Sequence, residues 1–309
     1  MDSPHMGRPA NSSPRSQESG GARRSRTPMP SARAALMALS LVGALVLSAC
    51  GAGASSPAHK PPSTTAFPVH LLTPGVIQFA GDFTEPPGQL LTNGQMTGSD
   101  FQICNAAAKA AGLKPKWTNI AFGSLIPALQ AGRVDAICSS VDMTAAREQV
   151  VDFVPYRIDS QGAAVAPGNP HAVSGPSSLC GLSAAELLGS IYQTFVQAQS
   201  ATCVKEGKHP IALATFSSIS EAFAQLLNGR ASVVVGDAPI LTYYVRQSNG
   251  KAAMAYSGVN PTTAGIAVVP GNLGLVGELT AGLYKIKASG QYQAILSKWG
   301  LSTDALPYF

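Results

Sequence analysis

The sequence predicts an α/β protein built as two lobes with a cleft between them, and three observations lead there. Short apolar or β-branched runs alternate with amphipathic stretches from Val69 onward, the pattern of strands separated by covering helices. The helical stretches stop at Gly112, Gly132, Gly207 and Gly229, because glycine takes up the left-handed conformation at a helix end without strain. One block also recurs in plan. Leu125-Ile126-Pro127-Ala128-Leu129-Gln130-Ala131-Gly132-Arg133-Val134-Asp135-Ala136 is echoed by Ala222-Phe223-Ala224-Gln225-Leu226-Leu227-Asn228-Gly229-Arg230-Ala231-Ser232-Val233. Each reads helix, glycine, arginine, strand, so two halves are built alike.

In the first half, residues 76–80 read as a strand and 82–98 as a loop that carries Pro86-Pro87 and the hairpin signal Asn93-Gly94. A helix over 100–111, a strand over 117–120, a short helix over 124–131 and a strand over 134–139 follow. Thr144 is placed to cap a helical turn over 144–149. In the second half, 191–196 is read as a strand and 200–207 as a helix. Next come a strand over 211–215, an amphipathic helix over 218–227 and a β-branched strand over 232–235. The helix over 239–247 has Pro in its first turn. A strand over 265–269 and helices over 275–289 and 291–298 close the chain.

The N-terminus reads as an export signal. Arg23, Arg24, Arg26 and Arg33 precede an apolar run, 34–46, which is shorter than the ~20 residues that span a bilayer. The run ends in Leu47-Ser48-Ala49-Cys50, which resembles the lipobox of bacterial lipoproteins. That resemblance implies lipidation of Cys50 (a palmitate-type acyl anchor), cleavage just before it, and a protein held at the outer face of the cytoplasmic membrane. Residues 1–49 are then signal peptide, and 50–66, rich in Gly, Ala, Ser, Pro and Thr, form a flexible tether.

The formal net charge of +5 misleads, because six arginines fall within the leader. A near-neutral mature domain gives no electrostatic case for nucleic acid. Beyond Cys50 four cysteines remain, and outside the cytoplasm they imply two disulfides with three possible pairings. Cys104–Cys138 with Cys180–Cys203 is favoured because each pair then stays inside one lobe. No spacing matches a zinc site, and no metal or cofactor is expected.

Ordered landmarks sharpen the reading. They are Gly98-Ser99-Asp100-Phe101, Phe122-Gly123-Ser124-Leu125-Ile126-Pro127-Ala128-Leu129, Gly132-Arg133-Val134-Asp135-Ala136-Ile137, Thr144-Ala145-Ala146-Arg147 and Val151-Asp152-Phe153-Val154-Pro155-Tyr156. Asn228-Gly229-Arg230, Val234-Val235-Gly236-Asp237-Ala238-Pro239 and Lys298-Trp299-Gly300 follow. In this order they resemble bacterial solute-binding proteins of family 3, the amino-acid receptors of ABC importers. The resemblance implies a two-lobe, type II periplasmic-binding-protein-like fold with two crossover strands, near 157–162 and 265–269. Lobe one is then 67–160 plus 268–309, and lobe two is 161–267. The implied partners are an amino acid and an ABC permease, with the receptor itself a monomer.

A free amino acid offers a carboxylate and an ammonium, and both must be paired if the cleft closes over them. Arg147, one turn into the helix that Thr144 caps, is the carboxylate ligand by position in the Thr-x-x-Arg motif, with Thr144 itself, and Ser139 and Ser140 at the preceding strand end, expected at the ligand as well. Asp237 matches the family's ammonium-binding Asp; a cap on the following Pro239 helix is its other reading. Three departures stand out. Glu85 lies where the family places an aromatic residue, and Asp142 where a small hydroxyl residue is common. Lobe two lacks an evident Gly-Thr donor pair, with Gln197-Ala198 aligned there. Asp82, Glu85 and Asp142 near the mouth favour a basic or polar amino acid, or an amine. The alternatives are an enzyme on this fold, resembling cyclohexadienyl dehydratase, which would need a general acid or base such as Glu85 or Asp142, and a sensory lipoprotein that binds without transport. None of His5, His59, His70, His171 and His209 abuts a binding motif.

Overall fold

The computed structural model describes residues 67–307; the leader, Cys50 and the tether expected before them lie outside the described residues. The first half is organised around β1 (Val76–Gly81), which pairs in parallel with β4 (Lys114–Asn119) on one side and β5 (Ala136–Ile137) on the other. Between β1 and β4 lie the hairpin of β2 (Leu90–Thr92) and β3 (Gln95–Thr97) and the helix α1 (Ser99–Ala110). Asn93 and Gly94 turn the hairpin with both φ angles positive, 51° and 77°, as a two-residue turn of this hand requires. The helix α2 (Leu125–Gln130) leads from β4 to β5. The single turn α3 (Ala145–Glu148) follows, capped by the Thr144 hydroxyl, which accepts from the Arg147 N–H at 3.2 Å.

Two long antiparallel strands, β6 (Asp152–Val165) and β10 (Ala253–Val268), join the halves. The crossovers expected near 157–162 and 265–269 fall on these two strands. Beyond β6 the second half adds β9 (Val233–Asp237), then β7 (Ser183–Leu187) and β8 (Ala212–Phe216), these last three mutually parallel. The whole sheet runs β4-β1-β5-β10-β6-β9-β7-β8. Helices α4 (Ile191–Lys205), α5 (Ile219–Leu227) and α6 (Ala238–Gln247) cover the second half. Helices α7 (Leu273–Ala288) and α8 (Gln291–Lys298) return to the first. Among the described residues no helix is long and apolar enough to cross a membrane.

The clearest departure from expectation lies between 183 and 207. The strand expected at 191–196 is the start of α4, and 200–207 continues the same helix. Ile191, Thr194 and Val196 favour a strand locally, but Ser190 caps the segment, its hydroxyl accepting from the Gln193 N–H at 3.2 Å. Tyr192, Val196 and Cys203 then recur on one buried face, a helical period. The strand of this region is β7, an Ala-rich run with little strand propensity that is buried on both sides; position in the sheet overrides local preference there.

The core follows the sheet. On one face of the first half, Ile77, Phe79, Ile103, Leu279, Leu283 and Leu296 pack α1, α7 and α8 against β1. Under the second half, Val165, Leu179, Val196, Ile211 and Val233 pack α4 against β9. A third cluster runs across both halves, from Phe122, Leu125 and Val141 to Leu187, Phe223 and Leu241, so the two lobes are in apolar contact. Cys104 is disulfide-bonded to Cys138, tying α1 to the residue after β5, and Cys180 to Cys203, tying α4 to the segment before β7.

Candidate functional site

Parallel strands put their following loops along one edge of the sheet, and ligands of open α/β sheets bind at that edge. Here β1 leads into Asp82–Glu85, β5 into Ser139–Asp142, β7 into Leu188–Ser190, and β9 ends on Asp237. Glu85, Phe122 and Asp142 from the first lobe face Ser190, Tyr192, Gly236 and Asp237 from the second around a shared cavity. The lobes are closed on it. The cavity measures about 10 Å³, far too small for an amino acid, so admission of a ligand requires the lobes to part.

The sequence-predicted residues divide by what they touch. Glu85 is 1% exposed, lines the cavity and accepts from the Ser139 hydroxyl at 2.8 Å. Burial, with the charges of Asp82 and Asp237 added, pushes its carboxyl well above the ordinary range. Asp82 ties its own loop instead: one oxygen accepts from the Thr84 N–H and hydroxyl at 2.9 and 2.7 Å, the other from the Phe122 N–H at 3.0 Å. The Ser139 hydroxyl also accepts from the Asp82 N–H at 2.9 Å. Ser140, held at φ 46°, turns into a buried network: its hydroxyl donates to Asp100 at 2.8 Å and accepts from Arg157 Nη2 at 2.6 Å. Tyr156 donates its hydroxyl to the same Asp100 oxygen at 2.6 Å, and Arg157 Nε donates to the other at 3.2 Å. This network is internal to the protein, so the Ser140 hydroxyl is engaged there.

Arg147 and Asp237 stand on opposite sides of the interlobe boundary. Arg147 Nη1 donates to the Asp142 carbonyl at 2.8 Å and Nη2 to the Gly189 carbonyl of the second lobe at 3.2 Å. The guanidinium lies over the Phe122 ring, 5.6 Å from its centroid, and 3.9 Å from the Asp142 carboxylate. Burial pulls it below its ordinary value, opposed by the carboxylates of Asp142, Asp237 and Glu85. Asp142 lines the cavity and accepts from the Thr262 hydroxyl at 2.5 Å; its own carboxyl is raised by burial. Asp237 makes no side-chain cap to α6, so of its two readings the cap is not realised. It accepts from the Tyr192 hydroxyl at 2.6 Å, and burial holds its carboxyl well above the ordinary range.

Several participants were not singled out in sequence. Gln197-Ala198, aligned to the family's donor pair, lies within α4; the backbone at the cleft is Gly189-Ser190, and Gly189 Nα donates to Gln193 at 2.9 Å. The Gly-Ser pair ahead of a helix was a legible cap signal, hidden by reading 191–196 as a strand. Gly189 has φ +82°, and a Cβ there would stand 2.9 Å from the Gly123 Cα of the first lobe, so the two glycines let the lobes meet backbone to backbone. Tyr244 of α6 closes the same seam, donating to the Thr84 carbonyl at 2.8 Å. Asp159 of β6 sits 2.9 Å from Arg157 Nη1 and is fully buried.

Comparison with known proteins finds relatives along most of the described chain. The profile of the bacterial extracellular solute-binding proteins, family 3, matches residues 77–302. The ABC transporter arginine-binding protein 1 of Escherichia coli (strain K12) is 28% identical over 229 residues, 72% of this chain and 90% of the relative. An ancestral arginine-binding protein solved with arginine superposes with a TM-score of 0.67 at 30% identity, covering 73% of this chain and 98% of that one. The corresponding structure bound to glutamine gives 0.68 at 30%, covering 74% and 99%. The chain belongs to the bacterial extracellular solute-binding proteins, family 3.

Proposed function

We propose that this protein is the solute-binding component of an ABC importer, capturing a free α-amino acid between its lobes and presenting it to a membrane permease. The observation that carries this reading is the Arg147 guanidinium of the first lobe bonded across the seam beside the interlobe cavity, with the Asp237 carboxyl of the second lobe lining that cavity. Arg147 is suited to the ligand carboxylate because its donors already point to carbonyls that a carboxylate can replace. Asp237 is suited to the ammonium because it ends a strand at the cavity with one oxygen fixed by Tyr192. The buried acids Glu85 and Asp142 outnumber the cations at the mouth, which favours a cationic side chain, arginine foremost. Arginine is also the ligand named for the E. coli relative and one ancestral structure.

The jaws work by population shift: a ligand that touches both lobes stabilises the closed form by its differential affinity for it. We read the protein as a binder rather than a catalyst, a monomer, and anchored outside the cytoplasmic membrane by a lipid on Cys50. Glu85 supports the one competing reading, since burial raises the proton affinity of its carboxyl in the cleft, as a general acid would need.

A thermal-shift screen against all amino acids and common polyamines tests the proposal. A ligand specific to the folded state adds about 2.7 kcal/mol at a hundredfold excess over its Kd. Arginine is expected to give the largest shift and to be recovered unchanged by NMR. No shift with any amino acid overturns the proposal, and turnover of the ligand converts it to the enzymatic one.

A further inference from the structure

The crossover strands hold a charge cluster that the jaw reading does not use. Arg157, Asp159 and Gln161 alternate along β6, and Gln161 faces Asp237 across the ladder. Asp142 of the first lobe, Asp159 of the crossover and Asp237 of the second lobe bring carboxylate oxygens within 4.8 Å of one another, and all three are buried. Each has one oxygen fixed locally: Asp142 by the Thr262 hydroxyl, Asp159 by the Ser160 N–H at 2.8 Å, Asp237 by the Tyr192 hydroxyl. Among the described residues, their other oxygens have only Arg157 beside Asp159, at 2.9 Å, and Arg147 beside Asp142, at 3.9 Å. Arg157 is shared with Asp100, and Glu85 adds a further carboxyl facing Asp237. Two guanidiniums therefore face five carboxyls from every element packed around the cluster. Gln161, 2% exposed, has its carbonyl held by Asn260 at 2.6 Å, while its buried Nε2 has no partner among the described residues.

Three carboxylates at this spacing, out of water, cannot all stay ionised. Asp142 and Asp237 belong to opposite lobes, and in this closed form they share one site with Asp159. The geometry points to a proton-operated latch: acidification closes the empty cleft by letting Asp142, Asp159 and Asp237 share a proton where a cationic ligand otherwise supplies the charge. The inference rests on the jaw reading. The directions agree, since Asp159 is raised to about 7 and Asp142 and Asp237 are also raised, burial being the first cause in each. A carboxyl raised only in the closed form takes up a proton on closure, so closure is favoured as pH falls through that value.

The test is the interlobe distance of the ligand-free protein, followed by paired spin labels or small-angle scattering between about pH 8 and about pH 5. Acidification is expected to shorten it by the amount that arginine produces at the higher pH. Asp142→Asn and Asp159→Asn, which remove charge as a proton would, are expected to lie closed at both pH values. A wild-type distance that does not change with pH overturns the latch whatever the variants do, as does a full acid response in both variants. Failure of the jaw reading looks different: arginine then causes no shortening at any pH.

Discussion

The Arg147 guanidinium donates to the Gly189 carbonyl across the interlobe seam at 3.2 Å, so a side chain from one lobe is held by the backbone of the other. A ligand carboxylate arriving beside α3 would take over that bond and keep the seam bridged.

Arg147→Ala is expected to weaken arginine binding by about a hundredfold or more, the scale for removing one partner of a buried charge pair. Isothermal titration measures it directly. The unliganded melting temperature should fall as well, because only 11% of the side chain is exposed and its guanidinium is bonded to the Asp142 and Gly189 carbonyls. Unaltered affinity would remove Arg147 from the site.

Gly189→Ala is expected to weaken ligand binding about tenfold while leaving each lobe folded. Its Cβ would stand 2.9 Å from Gly123 only when the lobes meet. The φ of +82° adds roughly 1–2 kcal/mol of strain in any state. Comparing the loss in affinity with the loss in unliganded stability separates the two effects; a loss of stability alone would mean that the contact does not govern closure.

Asp100→Ala strips Arg157, Tyr156 and the Ser140 hydroxyl of their common acceptor. Breaking a buried pair from one side costs about 3–5 kcal/mol, so the urea midpoint should fall steeply. Asp100→Asn should do less harm, since it keeps an acceptor oxygen.

The unliganded protein is expected to melt at a higher temperature near pH 5 than near pH 8. Glu186 is fully buried, with one oxygen accepting from the Val235 N–H at 3.1 Å, and burial raises it well above its ordinary 4.5. The folded state therefore holds a proton that the unfolded chain releases, and stability falls as pH rises between the two values. Asp159 acts in the same direction. Glu186→Gln should flatten the pH dependence of the melting temperature; an unchanged slope would show that Glu186 contributes none of it.

Most of the scaffold could be read from the chain because its cues are local. The Thr144 cap, the Asn93-Gly94 turn and the Gly132 and Gly229 helix ends depend on a few neighbouring residues, and each is where the sequence placed it. The region from β7 to α4 resisted for the opposite reason. An Ala-rich strand has no signal of its own until neighbours bury it, and a β-branched helix start misleads until its cap is seen. Among the candidate site residues, Arg147, Glu85, Asp142 and Asp237 meet at the interlobe seam, whereas Asp82 and Ser140 are turned to loop and network bonds.

By itself, then, the amino-acid order determined the alternation of strands and helices, the doubled plan and the family. These arise from periodicity and turn chemistry within short windows. Only the tertiary structure decided which charges share a neighbourhood. Asp142, Asp159 and Asp237 converge because β6 pairs with β9 and β10 in one register, and their burial follows from apolar packing that continues across both lobes. A carboxyl's partner and its proton affinity depend on distance and water exclusion, and neither exists until the whole sheet has formed.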